Sequence, residues 1–376
     1  MGRFRLFRLF FVVALIVSSG IMNGVHAGEV LYLASSEAKT VVTYEVNDVT
    51  GELTQKFSID LPGKLGPLAF SPDMSLIYAA QTGLEGDKAG VSTLKRAADG
   101  SLTIVATSNI TARSPYICVD KTGKFLLAAH YGPGEVTVYR ITDGVCTDEL
   151  LDRKKTAKTA HCIEVDPSGR FVFVPHTQPN KMYQFILDLQ TGKLTPNDPP
   201  FVDGPDTDHS YHGPRHYAHH PTLNFGYTAN ETGGGITRWK FDPEKGTLTR
   251  METIYTIPPD FKGASAGADM RVTPDGRFAY MSNRDASPNE TKKDTLAGVS
   301  LDPETGAMKL IGHFPAAHMP RSFCISLSGR FVYSAGQNTA QLYAHRMHAP
   351  TGKLEHFATY KTGGVPIWVM CGPISQ

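Results

Sequence analysis

The chain has 376 residues, 41% hydrophobic and 19% charged, with a formal net charge of +1. That composition supports a sizeable buried core and excludes a disordered chain. The near-zero balance, with no long run of like charge, excludes the basic footprint of a nucleic-acid binder.

The elements begin with a targeting segment. Arg3, Arg5 and Arg8 precede an unbroken apolar run from Leu9 to Val17, and Val25-His26-Ala27 supplies small residues at cleavage spacing. This pattern predicts a signal peptide over residues 1–27 and a mature chain starting near Gly28, exported to the periplasm or secreted. The apolar run falls short of the roughly 20 residues that span a bilayer, so no membrane attachment is expected after cleavage. Residues 28–376 are expected to form a single domain.

From there a repeat runs to the end of the chain. A strand, a Pro/Asp/Gly turn and a second strand recur at Leu68, Tyr116, Cys162, Tyr217, Met270 and Phe323. A second signature follows each copy: a strand ending near Asp, a turn with Gly, then Leu or Met. Its seven glycines are Gly51, Gly100, Gly144, Gly192, Gly246, Gly306 and Gly352. Four short strands per unit of about 45–50 residues is the pattern of a β-propeller blade. No stretch after the signal carries helical periodicity.

The two ends complement one another. The chain closes with GGVPIWVMCG (Gly363 to Gly372), an innermost strand with nothing after it, and opens with EVLYLASS (Glu29 to Ser36), a second strand with nothing before it. Joined, they make one blade. The expected fold is therefore all-β: a seven-bladed β-propeller of four-stranded antiparallel blades, closed by pairing of the N- and C-terminal strands, which removes two exposed edges. Cys118, Cys146, Cys162, Cys324 and Cys371 are scattered and include no CxxC, and most fall within expected strands. They are expected to be small buried fillers.

In a propeller the start of each inner strand and the end of the next strand lie on one face. The first column holds Gly66, Pro115, His161, Arg215, Ala268 and Arg321. The second holds Tyr131, Thr177, Glu231, Arg284 and Gln337. Ordinary blade-edge salt bridges would explain one arginine here. Several titratable groups converging at one end of the ring point to a site. His209, His212, His216, His219 and His220 surround Arg215. His216 and His220 would share a strand face, but no carboxylate or cysteine stands at ligand spacing, so packing is expected and no metal or other cofactor. Neither a GxSxG elbow nor a Walker loop is present. Asn109, Asn230 and Asn289 head Asn-X-Thr tripeptides, relevant only in a eukaryotic secretory route. Ser287 to Thr295 is polar and charged and reads as a long loop that could overhang the mouth.

At these residues the chain resembles the seven-bladed propeller lactonase family, which includes the propeller-type 6-phosphogluconolactonases and carboxymuconate cyclase. The resemblance rests on GPRHYAHHPTLNFGYTANE (Gly213 to Glu231), ADMRVTPDGRFAYMSNRD (Ala268 to Asp285), PRSFCISLSGRFVYSAGQ (Pro320 to Gln337) and YGPGEVTVYRITDG (Tyr131 to Gly144). It implies a metal-free active site at the channel mouth, with His161, Glu231, Arg215 and Arg284 catalytic. Arg321, His216, Asp269 and Arg271 are expected to bind the substrate, a small lactone or carboxylate. The lead-in to His161, Thr159-Ala160-His161-Cys162, departs from the family's His-Pro-His-Ser, and Asp269 stands where a longer acid is common. Both departures bear on substrate fit.

The expected chemistry is hydrolysis of a lactone ring. Arginines would hold the anion and the developing oxyanion, and either His161 or Glu231 would serve as base. A lactonising cycloisomerase would use the same groups in reverse. A non-catalytic exported propeller that binds protein or carbohydrate is the alternative from another class.

Overall fold

The computed structural model describes residues 28–207, 210–288 and 293–374. The proposed signal segment 1–27, His209, Asn289 and the centre of the 287–295 loop lie outside them.

Each repeat folds as one four-stranded antiparallel sheet, and there are seven such sheets. The first six blades start from inner strands Lys64–Phe70, Tyr116–Val119, Glu164–Val165, Pro214–His219, Ser265–Val272 and Pro320–Ile325. The seventh is the shared one. Its inner strand, Pro366–Pro373, pairs with Glu29–Ser35, which continues to Thr40–Val46 and Leu53–Asp60. Neighbouring inner strands approach one another around the ring, so the closing strand also lies beside those of blades one and six.

Two devices written into the repeat build this ring. The first is the turn from inner to second strand. The residue before it carries an oxygen that accepts the N–H opening the second strand: Ser71 for Leu76, Asp120 for Phe125, Asp166 for Phe171, Thr273 for Phe278 and Ser326 for Phe331, at 2.8–3.1 Å. The side chain thereby satisfies a backbone donor that a tight turn would leave unpaired.

The second device ties blade to blade. All seven signature glycines have φ between 65° and 84°, a region costly for any residue with a Cβ. At Gly246 an added Cβ would lie 1.9 Å from the ring of Phe171 in the preceding blade, so the turn needs glycine twice over, for conformation and for room. In five blades a second-strand tyrosine reaches the next blade's glycine carbonyl. Tyr32, Tyr78, Tyr227, Tyr280 and Tyr333 donate to Gly100, Gly144, Gly306, Gly352 and Gly51 at 2.5–2.9 Å. Leu127 and Phe173 occupy the same position in blades two and three.

The core lies between blades. Second strands such as Phe125–His130 and Phe171–His176 are buried along their whole length. All five cysteines are buried and free, as small core residues. Asn230 is fully buried and bonded to Thr237, so its tripeptide is no glycosylation acceptor, whereas Asn109 is exposed.

Candidate active site

The inner strands run in the same direction, so all their starts face one mouth of the channel and all their ends the other. His161, Arg215 and Arg321 stand at the starts of blades three, four and six, and Glu231 and Arg284 at the ends of second strands in blades four and five. A shared backbone feature sets off the first three. The residue two before each has positive φ: Thr159 at 68°, Gly213 at 66° and Met319 at 58°. The corresponding Lys64, Arg113 and Ala266, ahead of Gly66, Pro115 and Ala268, do not. A β-branched residue at φ 68° is strained, and Thr159 is held there by bonds between its hydroxyl and the backbone of Gln178. Register shifts near the strand start occur in blades one, four, five and six alike, so the positive φ is what distinguishes these three.

These groups meet around a cavity of about 510 Å³ lined by His161, Glu231, Arg321, Arg113, Tyr131 and neighbouring backbone. Arg215 and Arg284 stand behind Glu231. The carboxylate Oε1 takes Arg284 Nη2 at 2.7 Å and Arg215 Nε at 3.4 Å. The remaining donors mostly go to backbone: Arg215 Nη1 to Ala268 O at 2.7 Å, Arg284 Nε to Ala266 O at 3.0 Å and Nη2 to Gly267 O at 3.0 Å. Arg215 has no solvent exposure, and its Nη2 has no partner among the described residues. Arg321 also makes no guanidinium bond or ion pair among the described residues, but it faces the cavity.

The electrostatics follow from this crowding. Burial, with Arg215, His216 and Arg321 adding, holds His161 well below the usual histidine range, so its imidazole is neutral at pH 7. Burial works to raise the Glu231 carboxyl, but Arg215 and Arg284 outweigh it and keep it ionised. Burial and the neighbouring arginines also lower Arg215, and burial with Arg284 brings Arg321 down to about 10. Among the described residues Glu231 is the one carboxylate lining this cavity, which Arg113 and Arg321 also line and Arg215 and Arg284 back, so the mouth attracts anions.

His216, Asp269 and Arg271 lie deeper. His216 Nδ1 meets Asp269 Oδ1 at 2.9 Å, and Asp269 Oδ2 meets Arg271 Nη2 at 3.2 Å and the Phe323 N–H at 3.1 Å. Burial and Arg215 push His216 down to about 3, so it too is neutral. Its ring lies 5.3 Å from His161, forming a floor with Tyr116 and Trp368. Arg271 faces the opposite cavity, about 370 Å³, with Glu164 and Tyr116. The structure therefore unites His161, Glu231 and Arg321 on one cavity wall, places Arg215 and Arg284 in support, puts His216 and Asp269 in the floor and leaves Arg271 below it. Sequence reasoning missed Arg113, which sits two residues ahead of the column at Pro115, and passed over Tyr131 in its own column as bland. Tyr131 packs edge-on to His161 at 5.7 Å.

The histidines after Arg215 do not assemble. His219 packs on Phe173 and Tyr217, while His220 bonds Gly276 O at 2.9 Å in a turn on the far face. Among the described residues no three His, Cys, Asp or Glu side chains come together as a metal-binding group. Beyond the mouth, the flanks of the 287–295 loop are anchored. Asp294 accepts the Met319 N–H at 2.9 Å and meets His318 at 2.7 Å, just ahead of Arg321.

The fold is a ring of seven four-stranded antiparallel blades, a β-propeller. The chain belongs to the family described as "Lactonase, 7-bladed beta-propeller", whose profile matches residues 30–371. It is an enzyme of that class, a hydrolase of cyclic esters. Among curated relatives, the 6-phosphogluconolactonase of Serratia proteamaculans is 31% identical over 343 residues, covering 91% of this chain and 98% of the relative. That of Erwinia tasmaniensis is 29% identical over 342 residues, covering 91% and 98%. Among solved structures, the periplasmic gluconolactonase of Pseudomonas aeruginosa superposes with a TM-score of 0.80 at 19% identity, covering 93% of this chain and all of that one. A protein from Lactobacillus plantarum gives 0.79 at 21%, covering 92% and 99%. These two likenesses speak to fold alone.

Proposed function

We propose that the cavity holding His161, Glu231 and Arg321 opens an anionic lactone by water attack without a metal, with His161 as the base. What carries this reading is the unequal state of the two candidate bases. Glu231 shares one oxygen with two guanidinium groups, which drains its basicity. His161 keeps a neutral ring whose Nδ1 has no partner among the described residues.

Water would give its proton to His161 as its oxygen bonds to the lactone carbonyl carbon. Arg321 would stabilise the oxyanion, and the ring C–O bond would break as the imidazolium returns the proton to the leaving alkoxide. The product is the hydroxy acid, and atoms balance with one water consumed. Glu231, positioned by Arg215 and Arg284, lines the same cavity as His161. Arg113 sits at the cavity rim, suited to a remote carboxylate or phosphate. An anion bound there offsets the arginine charges that depress His161, so substrate binding raises the basicity of the catalytic ring.

Residues 28–376 form the catalytic domain in this reading, and residues 1–27 an export signal. An exported enzyme would meet free sugar lactones or aromatic breakdown products. The test is to incubate the chain with phosphorylated and unphosphorylated sugar lactones and with muconates, following acid release at fixed pH. Hydrolysis that survives chelator treatment and fails in His161→Ala supports the assignment. Full activity in both His161→Ala and Glu231→Gln, on every lactone the parent opens, overturns it.

A further inference from the structure

Two thiols meet where the closing strand rests on the inner strand of blade six. Cys324 lies on the inner strand of blade six, Pro320–Ile325, and Cys371 on the closing strand, Pro366–Pro373. Their sulfurs are 3.4 Å apart, both residues are buried, and 47 positions separate them in the chain. A disulfide bond measures about 2.05 Å, so the sulfurs need to close by little more than about 1 Å, within reach of a small change in side-chain torsion.

We propose that Cys324 and Cys371 close to a disulfide on oxidation, tying the closing strand to the inner strand of blade six. The position suits a latch. The closing strand is held on one side by pairing with Glu29–Ser35. On its other side it rests on blade six through packing of side chains. A bond there adds a covalent tie between the two inner strands and removes part of the freedom of the 47-residue segment between them when the chain is unfolded. The two strands it joins also carry Arg321 and Trp368, so the latch holds one wall and part of the floor of the site together.

A route for the oxidant exists. Both cysteines line the cavity of about 370 Å³ at the opposite mouth, which is open to solvent. Oxidised glutathione, a small disulfide, serves as the reagent. The thiolate of one cysteine displaces one glutathione thiol, and the second thiolate attacks the mixed disulfide and releases the other. Two thiols lose two protons and two electrons, one protein S–S bond forms, and the reagent's S–S bond is reduced to two thiols. Burial pushes the Cys371 thiol well above its usual range, with Cys324 and Glu29 adding, so exchange is expected to quicken as pH rises.

The test uses the intact chain at mildly alkaline pH. Reduced protein, denatured and alkylated, should show five modified cysteines. After oxidised glutathione it should show three, and a non-reduced digest should yield one cross-linked pair of peptides containing Cys324 and Cys371. Tm should rise by about 5 °C and fall back on reduction. Cys324→Ala should abolish the cross-link, and Cys146→Ala should leave it intact. Five alkylated cysteines after oxidation, a stable glutathione adduct at either residue, or a link through Cys118, Cys146 or Cys162 would each overturn the proposal. The thiol count is read on the unsubstituted chain, so it stands even if a variant fails to fold.

Discussion

The two mouths of the channel are made from the same seven inner strands and differ in nearly everything else. The far mouth is formed by the strand ends and regular capped turns. Most of its polar groups pair among themselves, with Tyr116 donating to Glu164, whose carboxyl is raised by burial, and Arg271 Nη2 engaged by Asp269, while Arg271 Nε has no partner among the described residues. The near mouth is formed by the strand starts, where Thr159, Gly213 and Met319 leave regular geometry. Among the described residues it carries more cations than the one carboxylate lining its cavity can balance, and Arg321 finds no partner there. One end is largely self-paired. The other is completed by what binds there, as expected of a site that trades local stability for chemistry.

The largest expected effect tests this contrast directly. His161→Ala should lower kcat by about 10²–10⁴ with Tm unchanged, the amount an acid–base group contributes. Glu164→Gln, at the far mouth, should leave kcat and KM alone. A comparable loss in both variants would erase the distinction between the ends.

Next is Arg321→Met. Loss of charged hydrogen bonds to a bound anion should raise KM by about tenfold to a hundredfold. Because Arg321 is an unbalanced cation beside Arg284, the same change should raise Tm by about 2 °C. A fall in both activity and Tm would mean that Arg321 is structural.

A pH profile sharpens the contrast further. The reactive form of His161 is neutral, so the rate should be flat at neutral pH and fall as pH drops through its folded pKa. Burial and the arginines place that value below 6.5 in the free enzyme. The acid limb of kcat/KM should therefore lie below pH 6.5. The limb of kcat should lie at higher pH, because a bound anion offsets the arginine charge. Coincident limbs would show that substrate does not screen these cations.

The smallest effect concerns the frame common to both ends. Tyr280→Phe removes the bond to Gly352 O and should cost about 1 kcal/mol, a fall of one or two degrees in Tm, with kinetics unchanged. Leu127 and Phe173 show that the ring tolerates a blade without this tie.

Much of this architecture was legible because it depends on local rules repeated seven times. Glycine is demanded wherever the outer turn needs positive φ against a neighbour's ring, so seven glycines counted seven blades. The mismatched ends revealed the closing blade because an unpaired inner strand must find a partner. The columns gathered His161, Arg215, Glu231, Arg284 and Arg321 at one mouth because blades repeat in register. Depth within the mouth was hidden. Arg215 and Arg321 occupy one column, yet the first is sealed behind Glu231 and the second faces the cavity. Arg271 alternates with Asp269 but reaches the other side of the floor. Arg113 lay just outside the column altogether.

By itself, the sequence determined the period, the blade count, the closure and the face on which reactive groups collect. Each depends on backbone conformation and strand alternation over a few residues. Only the tertiary structure decided which arginine meets a ligand, which carboxylate is already spent on its neighbours and which thiols touch. Those outcomes depend on torsions and charges supplied by blades distant in the chain, and no local pattern records them.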